Sequence, residues 1–285
     1  MNQPIKRELR SPREIRKMRS AGLVVWQAHQ AAARILKPGI STAEINQAYR
    51  DTFAQYDAQS LFLGYGARPG VPAFPAETCI SINEEVVHGI PGPRTLKEGD
   101  VVSLDTGCRL AGWCGDAAVT HAIGEISEQS KKLLEVTLGT LNLSIELMGQ
   151  KTRWSEICKP MEDYVVDAGF FVVEDMVGYG IGKELHEPPQ VPNYYNELLM
   201  QTKDFDLRPG VVLAIEPMVN IGTKELDTLD DGWTVVTENR ENSAHFEHTI
   251  AITKDGPVRL TGPPNDEELS QMPEWLHDKS QWVVW

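Results

Sequence analysis

Long apolar runs are missing from this sequence: no segment approaches the roughly 18 apolar residues that a membrane-spanning helix needs. The opening stretch, MNQPIKRELRSPRE, is positively charged with no apolar run behind it, so neither a secretory signal nor a lipid anchor is expected. Cysteine is scarce. Cys79, Cys108, Cys114 and Cys158 form no CxxC pair, which speaks against a disulfide framework or zinc ribbon and for reduced thiols in a cytoplasmic protein. Basic residues are in deficit, 27 against 41 acids, giving a formal charge of −14. An acidic surface repels phosphate, so neither nucleic acid nor a membrane is an expected partner. Low-complexity tracts are absent too. What remains is a globular chain of 285 residues, long enough for a sizeable core.

Two segments repeat. Residues 96–105 read LKEGDVVSLD and residues 207–216 read LRPGVVLAIE, each a turn leading into an apolar strand that an acid closes. At nearly the same offset, ILKPGISTAEI (35–45) lies over ELMGQKTRWSEI (146–157), where one helical pattern ends and another begins. The repeat is too long for a solenoid unit and predicts two similar half-domains. Capping boxes at Ser11–Glu14 and Ser41–Glu44 predict helix starts, and Ser127 predicts a third. A fourth helix falls within 154–168, where Pro160 predicts a late start or a kink. Strand-like runs lie at 78–82, 101–105, 117–123, 211–215 and 247–252. Strands joined by short turns, with helices grouped ahead of them, read as α+β.

The strand-end acids carry the chemistry. Asp105 closes VVSLD, Asp116 follows in GWCGD, Glu216 closes VVLAIE and Glu247 opens EHTIAIT. Four carboxylates in one place raise each other's pKa. Two divalent cations would neutralise them, and such a two-metal site suits hydrolysis. His88, in NEEVVHGIPGPR, and His186, in KELHEPP, could then orient a substrate and polarise its carbonyl.

The motifs CISINEEVVHGIPG, LDTGCRLAGWCGD, GYGIGKELHEPPQVPNYY, LRPGVVLAIEPMV and DGWTVVTENRENSAHFEHTIAIT, spread over residues 10–262, resemble those of the bacterial-type (type I) methionine aminopeptidases. The resemblance implies the pita-bread fold, two pseudo-symmetric halves with a central antiparallel-rich sheet covered by helices. It divides the chain into an N-terminal extension (1–10), one metallopeptidase domain of two pseudo-repeats (11–262) and a C-terminal tail (263–285), whose three tryptophans are expected to pack onto the domain. It implies a monomer with two divalent ions (manganese, iron, cobalt, zinc or magnesium) on Asp105, Asp116, Glu216 and Glu247. Glu216 becomes the general base, His88 and His186 the catalytic histidines, and Cys79, Phe74, Tyr65 and Trp233 the methionine pocket. Residues 66–73 make a longer loop than the family's usual one. The substrates implied are N-termini of nascent chains with a small second residue, with a ribosome contact left open. On that rule Asn2 would block self-processing.

One position departs. Where the family has GHGIG this chain has GYGIG, so Tyr179 takes the place of the histidine metal ligand. A phenol has a pKa of about 10 and ordinarily stays protonated. Three outcomes are open: Tyr179 ligates as a phenolate, turns aside for water, or fills the space and leaves one metal position weak or empty. Two other readings follow, a binding protein that has lost hydrolysis and a proline-directed aminopeptidase of the same fold.

Overall fold

The computed structural model describes residues 8–285. Met1 and Asn2, on which the self-processing expectation rests, lie outside them. The first half of the chain runs α1 (Pro12–Ala33), α2 (Thr42–Gln55), β1 (Gln59–Ser60), β2 (Cys79–Ile82), β3 (Glu85–Val87), β4 (Val101–Leu110) and β5 (Trp113–Ala122). The second begins with α3 (Glu128–Met148), α4 (Ser155–Asp167), β6 (Phe171–Val172), β7 (Gly178–Gly180), β8 (Glu187–Val191) and α5 (Glu197–Lys203). It continues through β9 (Val212–Ile215), β10 (Met218–Asn220), β11 (Leu226–Thr228), β12 (Val235–Thr237), β13 (Ser243–His245), β14 (His248–Thr253), β15 (Gly256–Arg259) and α6 (Asp266–Leu269).

Capping chemistry sets the helix starts. Ser11 and Ser41 accept from the backbone N–H of Glu14 and Glu44, whose carboxylates reach back to the caps, and Ser127 caps α3 through Ser130. The fourth helix differs from expectation, since α4 starts at Ser155 and runs on through Pro160 without delay. The backbone bond that proline removes is offset by packing of the buried Ile157, Cys158, Met161 and Val165.

The strand pairs are antiparallel. β1, β4 and β2 form one sheet, with β5 also on β4; β15, β14, β9, β7 and β8 form the largest. Helix α1 packs on α2 and over β4 and β5, and α3 packs on α4, so each half sets two helices against strands. The halves meet where β5 runs beside β14. The Glu247 N–H donates to the Ala118 carbonyl at 2.9 Å, and the Thr249 hydroxyl donates to the Asp116 carbonyl at 2.8 Å while accepting from the Asp116 N–H at 3.0 Å.

Two acids stand differently from expectation. β4 does not end at Asp105 but continues to Leu110, and Asp116 is likewise inside β5, opposite Gly107. The hairpin is buried along most of its length, so its apolar run carries through both acids. Glu216 and Glu247 do flank strands, directly after β9 and directly before β14.

The GYGIG stretch owes its glycines to crowding. β7 lies between β8 and β9, and a Cβ on Gly178 would sit 2.3 Å from the Ala214 carbonyl oxygen, one on Gly180 2.3 Å from that of Pro188. Tyr179, between them, points to the opposite face.

The tail joins the core. Trp282 meets Trp26 edge-on with ring centroids 5.0 Å apart, and Trp285, 3% exposed, stacks on His248 at 5.5 Å. The Gln30 amide pairs with Val283 in both directions at 2.8 Å, and the Trp285 main-chain oxygen accepts from His248 Nε2 at 3.0 Å. Trp275 stays partly exposed beneath the Arg34 guanidinium.

Candidate metal centre and substrate pocket

The four acids converge at the seam between the halves. Asp105, Asp116 and Glu247 offer carboxylate oxygens that all lie within 4.8 Å of one another, and so do Glu216 and Glu247 together with a ring nitrogen of His245. Glu247 belongs to both groups. Asp116 and Glu247 are wholly buried, whereas Asp105 and Glu216 line a cavity of about 690 Å3. Burial, then mutual repulsion, pushes Asp105, Glu216 and Glu247 well above the usual carboxylate range, and burial lifts Asp116 from 3.8 to about 7.

This donor set fits a divalent cation. One oxygen of Asp105 and one of Asp116 are buried without a hydrogen-bond partner, a costly state that a cation would relieve. Tyr179 fits less simply. Its hydroxyl donates to Asp116 Oδ2 at 2.7 Å and lies 3.3 Å from Glu247 Oε1. Burial and the surrounding carboxylates, Asp116 first, raise its pKa well above the usual phenol value, so the group here is a proton donor.

A pH dependence follows. The folded, metal-free protein retains carboxyl protons that the unfolded chain gives up above about pH 4. Stability is therefore full below the unfolded carboxyl range and is lost as pH climbs through about 7 for Asp116, with the three other raised carboxyls acting in the same direction. Metal-stripped protein is expected to melt lower at about pH 8 than at about pH 5, with a divalent ion restoring about 4 kcal/mol at a thousandfold excess over its Kd. Thermal unfolding with and without metal measures both effects.

The pocket residues lie against this centre. Tyr65, Phe74, Cys79 and Trp233 all line the cavity. Cys79 on β2 is the register partner of Asp105 on β4, which sets the pocket wall beside the carboxylates. Phe74 and Trp233 meet edge-on at 5.4 Å, and the Trp233 indole donates to the Pro72 carbonyl at 2.9 Å. The loop 66–73 is thus tied to the pocket: Arg68 stacks over Trp233 at 5.0 Å and donates to the Gly232 carbonyl at 2.8 Å.

Both predicted histidines line the cavity. His88 follows β3 in the left-handed region, φ 62°, an uncommon conformation that aims its ring. Gly89 makes the approach possible, because a Cβ there would lie 2.2 Å from the Ile80 carbonyl oxygen. Burial lowers the His88 pKa to about 4, and His186 is also lowered by burial. His186 Nδ1 lies 2.8 Å from the Tyr65 hydroxyl, and its ring meets Tyr179 at 4.3 Å. The turn carrying it is held by Glu187, which accepts from the N–H groups of Lys183 and Glu184 and pairs with the buried Arg10.

His245 was not singled out from the sequence. The signal was there, since it stands two residues before Glu247, the spacing that puts neighbours on one face of an extended chain.

Residues 16–254 match metallopeptidase family M24, and the chain belongs to that family. It is 44% identical to methionine aminopeptidase 1 of Bacillus subtilis over 87% of this chain and 96% of that protein. The methionine aminopeptidase of Clostridium acetobutylicum is 43% identical over 89% of this chain and 98% of its own. The crystal structure of methionine aminopeptidase from Thermotoga maritima superposes with a TM-score of 0.83 at 39% identity, covering 90% of this chain and 99% of that one. Within M24 the chain therefore stands among the methionine aminopeptidases. Prolidase from Pyrococcus furiosus, 19% identical with a TM-score of 0.69, shares the pita-bread fold alone.

Proposed function

We propose that this protein removes the N-terminal methionine of nascent polypeptides by metal-assisted hydrolysis when the second residue is small. The observation that carries the reading is the register of Cys79 against Asp105, which puts an apolar pocket at the edge of a four-carboxylate cluster. Divalent ions on Asp105, Asp116, Glu216 and Glu247 would supply a nucleophile at neutral pH and Lewis-acid polarisation of the carbonyl. Glu216, on the cavity wall, accepts the proton of the attacking water. Phe74, Cys79 and Trp233 receive the thioether, whose sulfur favours aromatic neighbours. His88 and His186 orient the scissile amide. The same reading places the protein in the cytoplasm, as a monomer acting on chains leaving the ribosome; among the described residues no helix is long and apolar enough to cross a membrane.

Tyr65 sets the protonation of His186. A hydroxyl donating to Nδ1 leaves the imidazole proton on Nε2, ready for the substrate carbonyl oxygen. Tyr65→Phe is expected to lower kcat by about tenfold with a smaller change in KM. A purely packing role would move KM alone.

Where Tyr179 stands the centre gains no imidazole, and imidazole is what favours zinc, so the carboxylates beside it suit harder ions such as manganese or magnesium. Release of the first residue from Met-Ala-Ser, Met-Gly and Ala-Pro peptides, by metal-stripped protein given manganese, iron, cobalt, zinc or magnesium in turn, tests the whole reading. Release from the two methionine peptides is expected, and Tyr179→His is expected to tighten the weaker metal equivalent. No release with any metal, rescued by Tyr179→His, would make this a binding protein on an enzyme's scaffold. Preferred cleavage of Ala-Pro would make it proline-directed.

A further inference from the structure

Beyond the four carboxylates, one buried group faces the same place without a partner. His245 is 1% exposed, and its Nε2 has no hydrogen bond. Glu216 Oε2 lies 3.4 Å away but outside hydrogen-bonding geometry. An imidazole nitrogen left this way costs free energy unless something else meets it.

The backbone fixes where the ring points. His245 ends β13 in register with Met218 of β10, which stands two residues past Glu216, the residue directly after β9. Its N–H donates to the Thr120 hydroxyl at 2.9 Å, and that hydroxyl donates to its carbonyl at 2.7 Å. Thr120 belongs to β5, so the residue is clamped between the two halves. Its ring nitrogen falls within 4.8 Å of a Glu216 oxygen and a Glu247 oxygen, which themselves meet that limit. A neutral imidazole nitrogen has a lone pair to give a metal ion. Tyr179, by contrast, is committed as a donor to Asp116.

We infer that His245 is a metal ligand, its Nε2 joining Glu216 and Glu247 around one of the two divalent ions and supplying the nitrogen that Tyr179 does not. The other ion is left to Asp105, Asp116 and Glu247. The inference rests on the metallopeptidase reading above and adds a nitrogen donor to it. A core histidine sharing a weak contact with Glu216 is the alternative, and it makes a different prediction.

The test is manganese(II) binding to the metal-stripped protein. Loss of the free-ion electron paramagnetic resonance signal counts bound ions, and electron spin echo modulation reports a nitrogen coordinated to manganese. The wild-type protein is expected to show imidazole nitrogen modulation. His245→Gln is expected to lose it and to bind one manganese equivalent more than about tenfold more weakly, with the other unchanged. His245→Gln/Tyr179→His is expected to regain the modulation, which also shows that the His245→Gln chain folds. Manganese bound without nitrogen modulation, or with modulation that survives His245→Gln, overturns the role of His245 and leaves the metal reading standing. Wild-type protein that binds no manganese overturns both.

Discussion

Glu216→Gln is expected to lower kcat for Met-Ala-Ser by about a thousandfold at saturating metal, while making the metal-free protein harder to unfold at neutral pH. The two effects have one origin. The Glu216 carboxyl, on the cavity wall, sits well above its ordinary pKa because its charged form is poorly solvated there and is repelled by Asp116. An amide of the same shape carries no charge and removes that strain on the fold. It also removes the proposed proton acceptor on the cavity wall and replaces a carboxylate, the proposed metal donor, by a weaker neutral group. Melting temperature and kcat taken on one preparation decide the matter. Activity kept within about tenfold would assign the general base elsewhere. A drop in metal-free stability would mean the cluster is not electrostatically strained.

Trp233→Ala is expected to reduce kcat/KM for methionine peptides by about a hundredfold and to shrink the preference for methionine over alanine at the first position. The indole is 7% exposed, meets Phe74 edge-on and is anchored through its N–H to Pro72. Truncation removes one wall of the pocket and frees the loop that Arg68 ties across it. The carboxylates are untouched, so metal binding should persist. Side-by-side kinetics on Met-Ala-Ser and Ala-Ala-Ser separate this from general damage, because a merely unstable variant would lose both substrates in proportion.

The sequence made some levels legible and others not. Helix starts were readable because caps are local: Ser11, Ser41 and Ser127 act through bonds spanning three residues. The acids were readable as a group because polar residues stand out within apolar strand patterns. The lengths of β4 and β5 were not, since a strand buried on both faces shows no alternation to mark where it stops. The persistence of α4 through Pro160 depended on tertiary packing that local propensity does not encode. Tyr179 was visible as a departure from a motif, but its partner was not. That its hydroxyl meets Asp116, 63 positions away in the chain, follows only from the fold, which sets the sheet holding β7 and β14 beside β5 across the seam. His245 escaped because a lone histidine in a strand is ordinarily unremarkable, and its missing hydrogen bond exists only in three dimensions.

The docking of Trp285 has a bearing on the order of events during synthesis. Glu247 is fixed by its N–H on the first half of the chain, while its carbonyl faces the Trp285 indole at 3.4 Å and the neighbouring His248 is held by the same residue. A polypeptide emerges amino end first. Asp105 and Asp116 are therefore in place long before the segment that braces Glu247 has left the tunnel. Residues 282–285 act as a latch, and the Glu247 end of the acid cluster is braced only once this segment has emerged and docked.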